Sequence, residues 1–250
     1  MKRAERLESI LERLSDDGWV AVSELTGTLQ ASAATVRRDL ELLEQQKLLS
    51  RTHGGAVGNG TLYELPVRYR GGQHAAEKRR IADAAALRVG EARTVGLSGG
   101  TTTTEVARRL RGRELTVVTN AVNIASELVV APTIRLVVTG GIARPQTYEL
   151  IGPLADATLA GLNLDLLFIG VDGAAAEGMT THDEIEAQTD RQMVERARRV
   201  IVVCDSSKIG RAALAVICRA DQVDVLITDA GAPAEEVAAL RAAGIEVEMV

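Results

Sequence analysis

Between Arg3 and Ser15 the apolar residues Leu7, Ile10, Leu11 and Leu14 recur at helical spacing among charged neighbours, which predicts a first helix with one buried stripe. Asp16-Asp17-Gly18 ends it. Trp19–Ala21 reads as a short strand, and a second helix is expected over Val22–Leu29. A third starts behind Ser32, whose hydroxyl can cap free backbone N–H groups, and runs to about Gln46 with Val36, Leu40 and Leu43 facing inward. Residues 47–57 then read as a strand, a tight Gly54-Gly55 turn and a returning strand. Three short helices followed by such a hairpin make a winged helix-turn-helix.

Asn59 to Pro66 reads as an exposed connection, and 73–89 as a further helix. The expected organisation is therefore a winged module over 1–57, a linker over 58–73 and a larger domain over 74–250. In that larger domain, apolar strand-like runs at 94–97, 115–119, 134–139, 166–171, 200–204, 225–228 and 245–249 alternate with helical segments. The helices fit at 105–110, 123–130, 153–161, 184–199 and 234–243. Strands alternating with helices predict an α/β domain built on a doubly wound, mostly parallel sheet.

Composition sharpens this picture. Hydrophobic residues make up 46% of the chain but aromatic ones only 2%, so the core is built from Leu, Val, Ile and Ala, as suits strands buried on both faces. A net charge of −5 excludes a protein coated in positive charge for nucleic acid. Even over residues 1–58, eight Lys and Arg face nine Asp and Glu. Any contact with double-stranded DNA rests on where the charges sit.

On the third helix, the inward positions leave Ala34, Arg37, Arg38, Glu41 and Gln45 on the outward arc, with Thr35 at its flank. Ala33 and Ala34 allow close approach to a groove, and the two arginines can reach guanine edges or phosphates. Arg51 and His53 on the wing can hold the flanking phosphate backbone. Two adjacent arginines are also an ordinary solvated face; the surrounding helix spacing, apolar pattern and basic wing favour DNA. The candidate DNA-binding set is Ser32, Thr35, Arg37, Arg38, Arg51 and His53.

The run from Thr94 to Glu105 reads as a strand, a Gly-rich loop and a helix start. Gly99 and Gly100, after Ser98, let backbone approach an anion, Thr101, Thr102 and Thr103 offer hydroxyls, and the dipole of the helix start favours negative charge; Ser98 to Thr103 form the candidate ligand loop. Such turns also occur without a ligand. Two further strand ends add to it: Asp172-Gly173 after one apolar run, and Asp205-Ser206-Ser207-Lys208 after another. Ligands of open α/β sheets collect at strand carboxyl ends. Lys208 can meet a phosphate and Asp172 can accept sugar hydroxyls, although an Asp-Gly turn and a surface lysine are the plain alternatives.

Other candidates carry less. Cys204 and Cys218 lie in apolar runs without metal-site spacing, which suggests buried thiols in a reducing compartment. His53, His74 and His182 are too scattered for a metal site, and none is expected. Asp183, Glu184 and Glu186 crowd a helix start, where acids act as dipole partners; Glu184 is retained as a ligand contact. No export signal or membrane span is legible, so a cytoplasmic protein is expected.

The strings Thr35-Val36-Arg37-Arg38-Asp39-Leu40, Leu43-Glu44 and Arg51-Thr52-His53-Gly54-Gly55-Ala56 resemble the DeoR family of bacterial regulators. Gln30 departs from that family's usual Gly, and a non-Gly residue at positive φ there costs roughly 1 kcal/mol. Over about 77–250 the chain is similar to the family's sugar-phosphate sensor domain, through Val118-Thr119-Asn120, Thr139-Gly140-Gly141, Ile151-Gly152-Pro153-Leu154-Ala155, Thr180-Thr181 with Glu184, and Asp205 to Gly210. The resemblance adds Asn120 and Gly141 to the ligand set. Ser98 replaces an acidic residue often found there, which implies an altered ligand preference.

It also implies a homo-oligomer acting as a repressor of carbohydrate-metabolism genes, relieved by a phosphorylated sugar and needing no cofactor. The sensor domain is similar to ribose-phosphate isomerases too, and a phosphosugar isomerase or deaminase fused to a DNA module is the alternative. Asp172-Gly173 leads here into three alanines with no Lys-Gly-rich segment after them. Without a positioned general base, binding is expected to persist without catalysis.

Overall fold

A computed structural model describes residues 2–58 and 65–250 of the chain, which divides into two compact units over 1–73 and 74–250. The first unit contains α1 (Arg3–Asp17), β1 (Trp19–Ala21), α2 (Val22–Leu29), α3 (Ala33–Gln45), β2 (Leu49–Arg51), β3 (Gly55–Gly58) and α4 (Val67–Arg70). The apolar stripes of α1, α2 and α3 meet in one core that takes in Leu11, Leu25, Leu40 and Leu43. Gly18 ends α1 in the left-handed region at φ 74°, the conformation for which glycine carries no Cβ penalty. Gln30 ends α2 the same way at φ 48° without that freedom.

The hairpin β2–β3 pairs antiparallel, and β1 adds to β3 as a third strand. Most of the expected connection falls on 59–64, outside the described residues. Within the described part, Val67 and Tyr69 of α4 are buried, and Tyr69 packs with the core of the first unit. Residues 67–70 thus belong to the folded winged module, because an aromatic ring there has an apolar face to cover.

The second unit contains α5 (Ala75–Leu87), β4 (Thr94–Leu97), α6 (Thr101–Leu110), β5 (Leu115–Thr119), α7 (Val122–Leu128), β6 (Ile134–Val138), β7 (Ile142–Ala143), β8 (Leu150–Ile151), α8 (Pro153–Ala160), β9 (Leu166–Ile169), β10 (Gly173–Ala175), β11 (Gly178–Thr181), α9 (Glu184–Arg196), β12 (Val200–Val203), β13 (Ala215–Cys218), β14 (Val225–Thr228), α10 (Ala234–Ala242) and β15 (Glu246–Met249). Seven strands form one parallel sheet in the order β15-β14-β12-β9-β4-β5-β6. They are the seven apolar runs expected from the sequence.

Alternation along each strand feeds two cores. Leu166 and Phe168 of β9 join α5, α6 and α7 on one face, while Leu167 and Ile169 join α8, α9 and α10 on the other. Two smaller sheets, β10-β11-β13 and β7-β8, were not foreseen. Gly, Ala and Thr dominate β10 and β11, so no apolar period marks them. Among the described residues no helix is long and apolar enough to cross a membrane.

Candidate functional site

In the first unit, Ser32 caps α3: its hydroxyl accepts from the Thr35 N–H at 3.2 Å and lies 2.9 Å from Thr35 Oγ1. A firm helix start fixes where the following side chains point. Arg37 and Arg38 emerge exposed, and among the described residues no acceptor pairs with either. Behind them Asp39 is buried and accepts from Arg6 Nε of α1 at 2.8 Å, which ties the angle of α3 to the rest of the unit.

The wing is fastened to the same helix. Arg51 of β2 reaches Glu44 of α3 through its backbone N–H at 2.9 Å and its Nε at 2.8 Å. That backbone hydrogen bond, then the guanidinium, holds the Glu44 carboxyl below its ordinary range. The Gly54 carbonyl accepts from the Val22 N–H at 2.8 Å, and Gly55 packs on the Val20 carbonyl with no room for a Cβ. Between α2, α3 and the wing lies a groove of about 810 Å³ whose walls include Ser23, Thr26, Arg37, Arg51 and His53. Ser32, Thr35, Arg37, Arg38, Arg51 and His53 therefore share the α3 and wing region, with Arg51 spent on Glu44.

The second unit offers a different kind of site. The chain leaves β4 toward β5 and β6, and later leaves β9 toward β12, β14 and β15. The crevice outside β4 and β9 is thus the point where the sheet changes direction, a usual place for ligands. Ser98, Gly99 and Gly100 turn from β4 into α6 there. Gly100, at φ 114°, precedes a helix start that no side chain caps, so the amides of its first turn are left for an anion.

The hydroxyls around this loop are arranged otherwise than the sequence suggests. Thr103 Oγ1 donates back to the Gly99 carbonyl at 2.7 Å, and Thr104 Oγ1 to that of Gly100 at 2.6 Å. Ser98 is fully buried; its Oγ accepts from the Gly170 N–H at 3.1 Å and links the ends of β4 and β9. The anion-binding capacity of the loop therefore lies in its backbone, with Thr101 partly exposed and Thr102 buried.

A single 3-10 turn over Ser206–Lys208 follows β12. Asp205 caps it, and Asp229 at the end of β14 accepts from the Ser206 N–H at 2.7 Å. The turn brings Lys208 Nζ to 3.6 Å from Asp172 Oδ1, while His182 Nε2 lies 3.9 Å from Asp172 Oδ2. Two of the sequence candidates, Asp172 and Lys208, are thus neighbours across 36 residues of chain. Gly173 packs on the Arg211 carbonyl without space for a Cβ, and Gly141, at φ 126°, packs against β8.

Beside Asp172 lies a cluster that the sequence did not reveal. The turn from β7 to β8 is closed by Arg144 N–H to the Glu149 carbonyl at 2.7 Å, and this turn, with Tyr148 at φ 62°, directs Glu149 inward. Its carboxylate packs on Gly99. Glu186 and Asp190, one turn apart on α9, complete a group of three buried carboxylates. Thr147 and Thr181 donate to Glu186 at 3.0 and 2.6 Å, and Arg144 reaches it at 3.2 Å. Asn120, at the end of β5, lies 3.4 Å from Glu149.

Burial first, then repulsion from Glu186, Asp190 and Asp172, pushes the Glu149 carboxyl well above its ordinary range. Asp190 rises for the same reasons, burial first and then Glu186 and Asp172. Glu184 stands apart: it is exposed on the first turn of α9, and Glu186 two residues later turns inward in its place. The available signal was the i, i+4, i+7 series Glu186, Asp190, Met193, which sets acids on an otherwise apolar helix face. Cys204 and Cys218 are free and buried; burial above all raises the Cys204 thiol and takes that of Cys218 to about 12, which makes them inert.

Comparison with known proteins bears on both units. Residues 6–61 match the model of the DeoR-like helix-turn-helix domain, and residues 73–230 that of the DeoR C terminal sensor domain. A relative from Escherichia coli O157:H7, named for transcriptional repression of the aga operon, is 38% identical over 99% of this chain and 94% of its own. The glycerol-3-phosphate regulon repressor of Escherichia coli K12 is 32% identical over the whole of both chains. Among solved structures, ribose 5-phosphate isomerase A from Methanocaldococcus jannaschii shares 18% identity over 58% of this chain and 56% of its own, with a TM-score of 0.37.

Proposed function

The chain belongs to the DeoR family of transcriptional regulators, and from that premise we propose that it is a cytoplasmic repressor of carbohydrate-metabolism genes, released from DNA by a phosphorylated sugar. The α3 arginines and the wing hold the operator. The first-turn amides of α6, with Asn120, Asp172 and Lys208, hold the effector. One DNA-reading helix covers a short site, so a homo-oligomer on repeated half-sites is part of the reading.

The observation that carries it is a pairing in one chain of two donor arrays that have no acceptors among the described residues: the exposed guanidiniums of Arg37 and Arg38, and the uncapped amides at the start of α6. Both suit phosphate oxygens, one on a duplex and one on a small molecule. A hundredfold release requires the effector to bind the DNA-free arrangement about 2.8 kcal/mol more tightly than the DNA-bound one.

Fluorescence anisotropy of genomic fragments selected by the protein tests the reading, with a panel of phosphosugars added at fixed salt. At least one phosphosugar is expected to release the DNA while its unphosphorylated parent does not. Turnover of a panel member that is lost in Asp172→Ala overturns the reading in favour of an enzyme.

A further inference from the structure

We propose that Gln46, at the end of α3, is a positioning residue for DNA reading, clasped by side chains from the segment that the sequence marks as a linker. Its Oε1 accepts from the Tyr69 hydroxyl at 2.6 Å and from Arg68 Nη2 at 3.2 Å. Both donors belong to α4, and the Arg68 guanidinium lies over the Tyr69 ring, 5.0 Å from its centre. Residues 22 and 23 positions apart in the chain thus close on one amide oxygen.

The clasp has a firm base. Tyr69 is buried and its ring joins the core that holds Leu40 and Leu43 of α3. Val67, also of α4, is buried too, and Gly72 just beyond packs on the Glu8 carboxylate of α1. Because the chain enters the second unit at His74, α4 is the last element of the first unit, and the clasp ties α3 to that end of it.

The direction of a rod needs two fixed points. Asp39, bonded to Arg6 at 2.8 Å, supplies one near the middle of α3. Gln46 supplies the other, seven residues and so about 10 Å further along the axis. The remaining tie, Arg51 to Glu44, joins side chains that are 42% and 39% exposed and contributes little. The bond to buried Tyr69 is better shielded from water and correspondingly stronger. Without it α3 can swing about Asp39, and Arg37 and Arg38 move with it. Hydrogen bonds to base edges tolerate only a few tenths of an ångström, whereas attraction to phosphates tolerates more. Loss of the clasp should therefore weaken binding to the operator and spare binding to DNA at large.

This inference rests on α3 being the DNA-reading helix of the proposed function, and the test separates the two. Anisotropy of the full chain is read on a genomic fragment that it selects and on a shuffled duplex of equal length. Salt is fixed, and the temperature is one at which each variant is fully folded. Gln46→Ala and Tyr69→Phe are expected to lose at least fivefold in affinity for the selected fragment and to stay within twofold on the shuffled one. Gln46→Glu, which keeps an acceptor in place, is expected to stay within twofold on both. Unchanged affinity of Gln46→Ala and Tyr69→Phe for the selected fragment overturns the proposal, as does an equal loss on both duplexes. If Gln46→Ala fails to fold, Tyr69→Phe, which keeps the ring and removes only the hydroxyl, decides by the same reading. Arg38→Ala is measured alongside. If it binds the selected fragment as wild type does, α3 does not read DNA and both readings fall; if it alone loses binding, only the role of Gln46 falls.

Discussion

The two candidate regions are built in opposite ways. The α3 and wing region comes from about 25 consecutive residues, stands exposed, and carries cations on a helix whose cap and core follow from local sequence. The region at the strand carboxyl ends gathers Gly99, Asn120, Glu149, Asp172, Glu186, Asp190 and Lys208 from six separate segments and buries most of its charge. A surface that meets a polymer needs display. A pocket that discriminates among small ligands needs enclosure, where each charge and hydrogen bond has more effect than it has in water.

The largest expected effect in the exposed region comes from its one buried charge. Asp39→Ala takes away the carboxylate between Arg3 and Arg6, and should cost about 3 kcal/mol of first-unit stability together with most DNA binding. Urea unfolding of residues 1–73 checks it; a change below about 0.5 kcal/mol would mean that α3 is held by its apolar face alone. Arg38→Ala should divide display from stability. About 2 kcal/mol of operator affinity is expected to go while the thermal midpoint stays in place, and binding retained at moderate salt would remove Arg38 from the interface.

The enclosed region should respond to pH where the exposed one does not. Glu149 and Asp190 have folded-state carboxyls raised above their ordinary range, so the folded chain binds more protons than the unfolded one. Their stabilising contribution is fully present below about pH 4, the ordinary carboxylate range, and is lost as pH rises through the raised folded values. The stability of the second unit, followed by urea unfolding at a series of pH values, should therefore fall as pH rises above the ordinary carboxylate range, by at most about 1.4 kcal/mol per pH unit for each extra proton held. Glu149→Gln should flatten that slope, and a wild-type slope of the opposite sign would contradict the assignment.

The smallest effect expected is at Gln30. Glycine suits φ 48° better, and Gln30→Gly should stabilise the first unit by a few tenths of a kcal/mol once the added freedom of the unfolded chain is subtracted. Denaturant midpoints at constant slope measure it.

The same contrast explains what the sequence disclosed. Continuous apolar runs such as Val200–Val203 mark parallel strands buried on both faces, so all seven strands of the main sheet were legible. Ser32 and the outward position of Arg37 and Arg38 follow from helical geometry within one short segment. Glu149 could not be found in this way. Its inward direction depends on a turn with Tyr148 in the left-handed region and on the alignment of residues 148–150 with the end of β5. Glu184 and Glu186 look alike in a row of acids, and only the packing of α9 on the sheet separates the exposed one from the buried one. Ser98 and Thr103 occupy the expected loop, but their hydroxyls satisfy backbone groups that no sequence pattern identifies.

The central claim is that the enclosed region governs the exposed one. Its most direct test is the release of operator DNA by the active phosphosugar in wild type and in Lys208→Ala, followed by fluorescence anisotropy at one salt concentration. Lys208→Ala should bind DNA as wild type does and need at least tenfold more phosphosugar for release, because the cation held beside Asp172 is gone. Release at an unchanged midpoint would contradict the account.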